Sequence, residues 1–270
     1  MPELPDVENF RRYLTSKARG KKMIDVKFSG AKRVLRNRSP RQLERALQGH
    51  RFERTRRHGK HLFVKLDRCN WLAMHFGMTG FLAYFKSMKD APVHSRMCID
   101  FANGYHLAYV NQRKFGALRV ISDPGDFIGQ KELGPDALDR ALDSNAFLKL
   151  ISSRRGQIKP ALMDQNVLAG IGNIYSDEIL FQAKIHPKAP IGRLEKQQIS
   201  RLHRTMRRVL RMAIRKGAGS DKLLERLPRG YLLPHRQQGA LCPRCKGEVR
   251  TIKIAGRTAY YCPRCQRLPD

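Results

Sequence analysis

CPRCKGEVRTIKIAGRTAYYCPRC, residues 242–265, decides how the end of this chain folds. It contains two Cys-x-x-Cys pairs that are separated by sixteen residues. Two such pairs at this spacing predict a closed tetrahedral site of four thiolates, which is the arrangement that structural zinc prefers. We therefore expect one structural zinc ion, bound by Cys242, Cys245, Cys262 and Cys265. Because all four positions are filled by protein, this metal has no place for water and is not the catalyst.

The residues between the two pairs predict a β-hairpin. TIKI and TAYY have the composition of strands, and Ala255-Gly256-Arg257 has the composition of a tight turn. A zinc hairpin with an arginine at its tip suits contact with a phosphate or a groove, although a solvated turn arginine is the commoner interpretation of one arginine taken alone. We assign residues 241–270 to this C-terminal zinc finger.

The preceding part of the chain, residues 126–240, predicts a helical domain. Residues 195–216 carry an apolar stripe at helical spacing with arginines largely off it. Upstream, LAGIGNIYSDEIL at 168–180 combines a turn at Gly170 and Gly172 with Asn173 as a candidate helix N-cap. A helix that begins at such a turn can bind phosphate, but a purely structural turn is an equally good interpretation. Residues 217–240 predict a loop with one short helix.

The N-terminal part, residues 1–125, predicts β structure after one helix. Residues 5–18 show helical spacing of apolar residues, and 22–122 hold short aromatic and branched runs separated by turns. This pattern indicates two packed antiparallel sheets. The fold class is therefore α+β and multidomain: an N-terminal two-sheet antiparallel β-sandwich with flanking helices, a helical domain, and a C-terminal β-hairpin zinc finger.

The charge of the chain indicates its partner. The 54 lysines and arginines exceed the 23 acidic residues and give a formal net charge of +31. Nucleic acid is the polyanion that best neutralises such an excess, with a membrane surface or an acidic protein as alternatives. No apolar run is long enough for a membrane span, and the first residues have no signal-peptide pattern. We expect a cytoplasmic, nucleoid-associated monomer, in which Cys69 and Cys98 are structural.

The first eight residues, MPELPDVE, combine two patterns. From Pro5 onward they suit an ordinary helix start, since proline is favoured in the first turn and acidic residues stabilise that end. Pro2-Glu3 has no such explanation. Removal of Met1 would leave a secondary amine that can attack an anomeric carbon, displace a base and form an iminium ion. Glu3 would then exchange protons with the opening sugar.

Six blocks in order resemble the formamidopyrimidine-DNA glycosylase/endonuclease VIII family of base-excision repair enzymes. They are MPELPDVE, RRHGKHL, HFGMTG, NQRKFGA, IKPALMD with GIGNIY and IHP, and the terminal CPRC…GRTAYYCPRC. The resemblance covers nearly the whole chain. It is greater to the formamidopyrimidine/8-oxoguanine branch, which begins PELPE where this chain has PELPD. It implies a helix–two-turn–helix motif in the helical domain.

The resemblance also implies a catalytic group. Pro2 would be the nucleophile and Glu3 the general acid. Lys60 would donate a proton in the first elimination and contact a phosphate. Arg257 would bind the phosphate beside the lesion and assist the second elimination. Taken without the family, Lys60 would ordinarily be a solvated lysine at a strand end.

A second implied group contacts DNA. Met78, Arg113 and Phe115 would fill the gap left by a flipped-out nucleotide, whereas by residue type alone Met78 and Phe115 are more often core residues. The remaining implied contacts are His94 and Arg154 on DNA, Asn173 on backbone phosphate, and Glu178 near the base pocket, although the match around Arg154 is loose.

Two departures from the family bear on specificity. Asp6 stands where the family usually has glutamate, so a carboxylate that organises the pocket is one methylene shorter. Residues 217–242 also lack the pattern of the loop that closes over the damaged base in 8-oxoguanine enzymes.

We therefore expect a bifunctional DNA glycosylase and AP lyase that binds duplex DNA with a damaged base or abasic site and cuts by β,δ-elimination. Oxidised purines are the leading substrate class, with oxidised pyrimidines or unusual lesions as the alternative. A non-catalytic lesion- or structure-specific DNA-binding protein is the rival from another class, although binding alone does not need Pro2, Glu3 and Lys60. A zinc-ribbon protein that binds RNA or the ribosome is a third, weaker alternative.

Overall fold

The computed structural model describes residues 1–36, 38–67 and 70–268. The chain divides into two compact units, Met1–Lys131 and Glu132–Asp270. Cys69, predicted to be structural, lies outside the described residues.

The first unit is built on two four-stranded antiparallel sheets, with strand orders β1-β6-β7-β5 and β2-β3-β4-β8. Its helices are α1 (Leu4–Ala18), α2 (Pro40–Leu47) and α3 (Pro124–Gln130). Its strands are β1 (Met23–Phe28), β2 (Phe52–His58), β3 (His61–Leu66), β4 (Trp71–His75), β5 (Phe81–Phe85), β6 (Ser95–Phe101), β7 (His106–Val110) and β8 (Ala117–Ile121).

Side chains from both sheets and from α1 form one buried core. Val64 and Met74 come from one sheet, Ile99 and Tyr109 from the other, and Phe10 from α1 packs at 4.7 Å between ring centroids on Phe76. The predicted two-sheet sandwich is confirmed. Since alternate strand residues face this core, the outer faces are left to polar side chains and to α3.

The assignment of residues 22–122 to β structure was incomplete. Helix α2 interrupts it, and the sequence carries the signal for that helix. Ser39 Oγ accepts from Gln42 N–H at 3.4 Å, and the Gln42 side chain accepts from Ser39 N–H at 2.8 Å, with Pro40 in the first turn. Strand β4 was also not predicted. Its first four residues are buried, so it shows no alternation of polar and apolar residues.

The second unit is helical and ends in the hairpin. Its elements are α4 (Ser144–Ser152), α5 (Ile158–Met163), α6 (Asn173–Ala183), α7 (Lys196–Arg215), α8 (Leu223–Arg226), β9 (Arg250–Ile254) and β10 (Arg257–Tyr261). Helix α6 packs on α5, α7 and β10, and α4 packs on α7. Helix α7 coincides with the predicted helix at 195–216, and α8 with the predicted short helix.

The arginines of α7 divide into two groups. Arg201 Nε donates to the Ala183 carbonyl at 3.1 Å, and Arg207 Nη1 donates to the Asp139 carbonyl at 2.6 Å. These two side chains hold neighbouring backbone. The other arginines of the helix, Arg204, Arg208, Arg211 and Arg215, are exposed, as is Arg201. Among the described residues, no helix combines the length and apolarity that a membrane crossing requires.

Candidate active site

The N-terminus places an acidic pair at the start of α1. Glu3 is the N-cap residue and is fully buried, and its N–H donates to Asp6 Oδ2 at 2.8 Å. Pro2, just before it, is half-buried, and Met1 is 42% exposed. Burial raises the pKa of Asp6 to about 6, and the nearby Glu3 carboxylate adds to the rise. The shorter carboxylate at position 6 therefore acts on the backbone of Glu3.

Lys60 lies in the turn of the β2–β3 hairpin and is only 8% exposed, so it is not a solvated strand-end lysine. The hairpin is tied to α1, which packs on β2 and β3. Arg57 Nη1 donates to the Gly59 carbonyl at 3.2 Å, and Arg57 Nε lies 3.4 Å from Glu8 Oε2 of α1. This chain of contacts links α1, which follows Pro2 and Glu3, to the turn that carries Lys60.

Two histidines beside this turn are held neutral. Burial lowers the pKa of His61 to about 3, and the neighbouring His75 adds to the effect. Burial, with a contribution from Lys60, lowers the pKa of His75 to about 4. Both histidines line a cavity of about 250 Å³ in the first unit. Within the described residues, His61 Nδ1 is buried without a hydrogen-bond partner. Neither histidine was assigned a role from the sequence.

Two adjacent loops present the residues predicted to fill a gap in DNA. Met78 is 39% exposed and Phe115 is 56% exposed, so neither is a core residue. The Arg113 guanidinium carbon lies 5.3 Å from the centre of the Phe115 ring. We call Met78, Arg113 and Phe115 the wedge. Exposed apolar side chains of this kind on a basic protein suit insertion between bases.

Glycines hold the two wedge loops together. A Cβ on Gly77, where φ is +61°, would lie 2.5 Å from the Phe115 carbonyl carbon. A Cβ on Gly116 would overlap the Tyr109 hydroxyl. In addition, Arg113 N–H donates to Thr79 Oγ1 at 3.3 Å. The loops therefore pack backbone against backbone, which only glycine permits.

His94 approaches the same loops from the start of β6. Its side chain is exposed and its backbone has a φ of 66°. The His94 carbonyl accepts from Asn111 N–H at 3.1 Å, and the Asn111 side chain donates to the Phe76 carbonyl at 2.9 Å. His94 is thus attached through Asn111 to the base of the wedge loops.

In the second unit, Asn173 and Arg257 are brought together. The prediction that Asn173 caps α6 was wrong, because Gly172 is the N-cap residue and Asn173 is the first residue of the helix. Its Nδ2 instead donates to the Thr258 carbonyl of the hairpin at 3.0 Å. Arg257 precedes Thr258, is exposed, and pairs with Ile254. It therefore opens β10, and the turn consists of Ala255 and Gly256 alone.

A buried ion network beneath Asn173 was not predicted. Lys159 Nζ lies 2.5 Å from Asp177 Oδ1 and 3.3 Å from the Asn173 carbonyl, and both charged side chains are fully buried. Arg236 Nε donates to Asp177 Oδ2 at 2.9 Å and stacks at 4.5 Å on the Tyr260 ring. The signal was a lysine between buried apolar residues of a short helix. The network joins α5, α6, the 233–236 turn and β10.

Glu178 and Arg154 have different surroundings. Glu178 is fully buried, and its carboxylate accepts from Leu233 N–H at 2.8 Å and from Gln182 Nε2 at 2.8 Å. Burial raises the pKa of Glu178 to about 7. Its carboxylate thus anchors the 233–235 turn. Arg154 is exposed just beyond the end of α4.

The four paired cysteines fit one zinc ion. Their sulfur atoms all lie within 4.8 Å of one another, with Cys242–Cys265 at 3.8 Å and Cys245–Cys262 at 3.5 Å. Zn–S bonds of about 2.3 Å in a tetrahedron place sulfurs about 3.8 Å apart. Gln266 supports the site, since its Oε1 accepts from Cys262 N–H and its Nε2 donates to the Ile185 carbonyl. Zinc bound here ties the hairpin together and supplies no reactive position.

Three family models match the chain in sequence. They are the formamidopyrimidine-DNA glycosylase N-terminal domain over residues 1–118, the formamidopyrimidine-DNA glycosylase H2TH domain over 133–224, and the zinc finger found in FPG and IleRS over 239–268. Together they define a class of protein: DNA glycosylases that carry a helix–two-turn–helix motif and a zinc finger.

Curated relatives agree over the full length. The chain is 32% identical over 276 residues to a formamidopyrimidine-DNA glycosylase of Pelotomaculum thermopropionicum, covering 99% of this chain and 100% of the relative. It is 34% identical over 277 residues to that of Lactococcus lactis subsp. cremoris, with 99% and 100% covered.

Solved structures agree as well. The L. lactis enzyme bound non-covalently to DNA containing an AP site is 33% identical, with a TM-score of 0.87 and 98% and 99% of the two chains covered. MutM in complex with carbocyclic 8-oxo-G containing DNA is 31% identical, with a TM-score of 0.88 and 98% and 100% covered. The chain belongs to the formamidopyrimidine-DNA glycosylase family. It is a base-excision repair enzyme with DNA glycosylase and AP lyase activities.

Proposed function

We propose that this enzyme excises oxidised purines from duplex DNA with Pro2 as nucleophile, and then cuts the strand on both sides of the lesion. The observation that carries the proposal is the start of α1, where a half-buried proline precedes a fully buried Glu3 whose backbone is fixed by Asp6. The Glu3 side chain also accepts from the Asp6 N–H in the capping box of α1, but binding alone does not need an amine nucleophile beside it. The chemistry requires that Met1 be removed first.

The proposed reaction begins with attack of the Pro2 nitrogen on the anomeric carbon of the damaged nucleoside. The N-glycosidic bond breaks, and the base leaves with the proton that the Pro2 nitrogen loses. Glu3 protonates the sugar ring oxygen as the ring opens, which leaves a Pro2 iminium ion. The iminium acidifies the adjacent sugar proton, whose loss expels the 3′ phosphate. A second elimination expels the 5′ phosphate, and water then releases the sugar fragment from Pro2.

Lys60 and Arg257 are assigned to the two elimination steps. The burial of Lys60 supports a role at the sugar, because a lysine enclosed among protein groups is positioned rather than solvated. Arg257 would hold the phosphate that flanks the lesion while Asn173 contacts the backbone. The hydrogen bond from Asn173 to the Thr258 carbonyl, next to Arg257 in the chain, supports a joint role of Asn173 and Arg257 on the backbone. Met78, Arg113 and Phe115 would occupy the space of the flipped nucleotide, with His94 and Arg154 on the surrounding strand.

The choice of lesion rests on the family. The relatives are named for formamidopyrimidine, and a bound structure contains 8-oxo-G, both of which support oxidised purines. Residues 217–242 are where this chain departs from the pattern, and the 233–235 turn is held there by Glu178. For this reason oxidised pyrimidines belong in any lesion panel. We do not assign Glu178 a contact with the base, since it is bound to backbone.

The deciding experiment traps the covalent intermediate. Enzyme with a verified Pro2 terminus is incubated with abasic-site duplex and sodium borohydride, which reduces the iminium to a stable adduct. We expect a protein–DNA adduct whose linked peptide begins at Pro2, and a much weaker adduct from Pro2→Gly at a matched concentration, because the variant retains only a primary terminal amine. An adduct at a lysine, or no adduct from the processed wild-type enzyme, would refute Pro2 as nucleophile.

A cleavage panel then tests the substrate class. Duplexes carrying 8-oxoguanine, a formamidopyrimidine, or an oxidised pyrimidine are compared under single-turnover conditions. We expect the two purine lesions to be cut fastest. Preferred cutting of the pyrimidine lesion would assign the altered 217–242 segment a different specificity while leaving the chemistry intact.

We also propose the site of action and the domain plan. The charge of +31 supports work on chromosomal DNA in the cytoplasm, at the nucleoid. The plan remains an N-terminal catalytic domain at 1–125, a DNA-binding domain at 126–240 and a zinc finger at 241–270. Limited proteolysis followed by mass determination of the fragments tests those boundaries.

A further inference from the structure

Three potential metal ligands converge on the outer face of the β1-β6-β7-β5 sheet. Cys98 and Asp100 are two residues apart on β6, so their side chains share one face. His106 on β7 is the direct cross-strand partner of Asp100. The sulfur, carboxylate and imidazole ligand atoms all lie within 4.8 Å of one another. This group is in the first unit and is separate from the four paired cysteines.

One of the ligand distances is close to that around a bound zinc ion, and the other is the shorter distance of a hydrogen bond. His106 Nδ1 lies 2.6 Å from Asp100 Oδ1, and Cys98 Sγ lies 3.9 Å from the same oxygen. A tetrahedral zinc places such ligand atoms about 3.4 to 3.6 Å apart. A zinc ion would therefore replace the proton between His106 and Asp100, widen that pair, and draw Cys98 inward by a few tenths of an ångström.

The surroundings fix the ligands and balance the charge. His106 stacks on the Phe85 ring, with centroids 5.3 Å apart, which holds the imidazole plane. Its side chain is 16% exposed and that of Asp100 is 22% exposed, so an ion can enter from solvent. Lys27 Nζ lies 3.0 Å from Asp25 Oδ2 and 3.8 Å from Asp100 Oδ2. A thiolate and one carboxylate neutralise Zn²⁺, while Lys27 stays paired with Asp25.

We propose that Cys98, Asp100 and His106 form a second zinc site. Three protein ligands leave the fourth position to water, so the site is open and exchangeable, unlike the closed four-cysteine site. A mixed thiolate, imidazole and carboxylate set selects zinc over magnesium or calcium. Binding releases the thiol proton of Cys98 to solvent, and His106 binds the ion through Nδ1 with its ring proton on Nε2. The ion then joins β6 to β7 on the face away from the core.

The first test counts zinc. Full-length protein is equilibrated with excess zinc, passed over a desalting column, and analysed by plasma mass spectrometry. We expect two zinc ions per wild-type chain and one in Cys98→Ala and His106→Gln. The matched control is His50→Gln, because His50 Nδ1 also lies 2.6 Å from a carboxylate, that of Asp67. Among the described residues, the His106–Asp100 pair has a cysteine within reach of the same ion, whereas the His50–Asp67 pair belongs to no such group. His50→Gln should keep two zinc ions.

The second test reads the ligands directly in the wild-type protein. Cobalt is added to protein that holds one zinc ion per chain, and ultraviolet absorption is recorded. We expect a thiolate-to-cobalt band of the intensity of one sulfur, absent from Cys98→Ala, and reversed by one equivalent of zinc. One zinc ion per wild-type chain, retention of the second ion by Cys98→Ala, or absence of this band would each overturn the proposal.

Discussion

The protonation state of a buried carboxyl group changes the free energy of unfolding of the protein. Glu178 is fully buried, and its pKa rises to about 7 because burial disfavours the charged form. The folded protein therefore keeps this proton between pH 4.5 and 7, where the unfolded chain releases it. A carboxyl group whose pKa is raised by folding contributes its full stability to the folded protein at pH values below the pKa of the unfolded chain. This contribution is lost as the pH rises through the pKa of the folded protein.

We predict that Glu178→Gln, which stays neutral at every pH, removes this dependence. Relative to wild type, the variant should gain about 3 kcal/mol of stability between pH 4.5 and pH 7, from about 1.4 kcal/mol per pH unit. Urea unfolding at a series of pH values measures the difference. Glu225→Gln, at an exposed site in α8, is the matched control and should show no such trend. A stability difference independent of pH would contradict the assignment.

Asp6 acts on the backbone of Glu3, so its replacement tests position rather than charge. We predict that Asp6→Ala loses about 1 kcal/mol of stability with the lost cap. Its single-turnover rate should also fall about tenfold with little change in substrate affinity, because Pro2 and Glu3 are no longer held. Asp6→Asn retains an acceptor oxygen and should restore most of the rate. Equal losses in the alanine and asparagine variants would show that the charge of Asp6 matters instead.

At the scale of elements, α5 and α6 are joined by charges with no access to water. Lys159 and Asp177 are fully buried, and Arg236 completes the group. Such a network stabilises only when complete, since removing Lys159 leaves the buried Asp177 carboxylate with only the partly exposed Arg236 as its counter-charge. Its position behind Asn173 means that the same contacts set the start of α6 against the hairpin.

We predict that Lys159→Met destabilises the second unit by about 3–5 kcal/mol. Lys159→Met combined with Asp177→Asn should be less destabilised than the single variant, because the buried carboxylate charge is gone and Arg236, which is 20% exposed, can be solvated. Lys196→Met, at an exposed position in α7, controls for loss of a lysine from a helix. Thermal unfolding followed by circular dichroism compares the four proteins. A double variant that is less stable than Lys159→Met would argue against an unpaired charge as the cause.

The elements also show where sequence patterns were sufficient. The zinc site and its hairpin were predictable because all four ligands and both strands lie within residues 242–265. The cap of α6 was not, since Asn173 is drawn away by Thr258, a partner 85 residues later in the chain. The burial of Lys60 and Lys159 depends on tertiary packing in the same way. The family motif RRHGKHL located Lys60, whereas Lys159 was not singled out from the sequence, and the surroundings of both lysines required the structure.

For the whole molecule, the net charge of +31 sets how the enzyme meets DNA. Each phosphate neutralised by a lysine or arginine releases condensed counterions, so affinity falls as salt rises. Exposed arginines on α7 and at the hairpin tip are available for such contacts. In the proposed function, the charge supplies affinity for any duplex, and the wedge contributes to the preference for damage.

We predict a loss of affinity of about 10³- to 10⁵-fold between 50 and 200 mM salt, as for about six to ten phosphate contacts. Fluorescence anisotropy with Pro2→Gly protein measures binding without turnover. Arg257→Gln should reduce the slope of log affinity against log salt by about 1. Lys27→Gln removes an exposed charge outside the predicted DNA contacts and should leave that slope unchanged. A wild-type slope equal to that of one contact would contradict this binding mode.

The exposed wedge has a consequence for how copies of the enzyme behave toward one another. Met78 and Phe115 expose apolar surface on a protein whose positive net charge makes its copies repel one another. Repulsion over about 10 Å in 0.1 M salt shrinks to about 3 Å in 1 M salt. The high salt concentrations that dissociate the enzyme from DNA therefore also screen the repulsion that prevents its self-association. Colloidal stability and release from DNA oppose each other here, and concentrated storage favours moderate rather than high ionic strength.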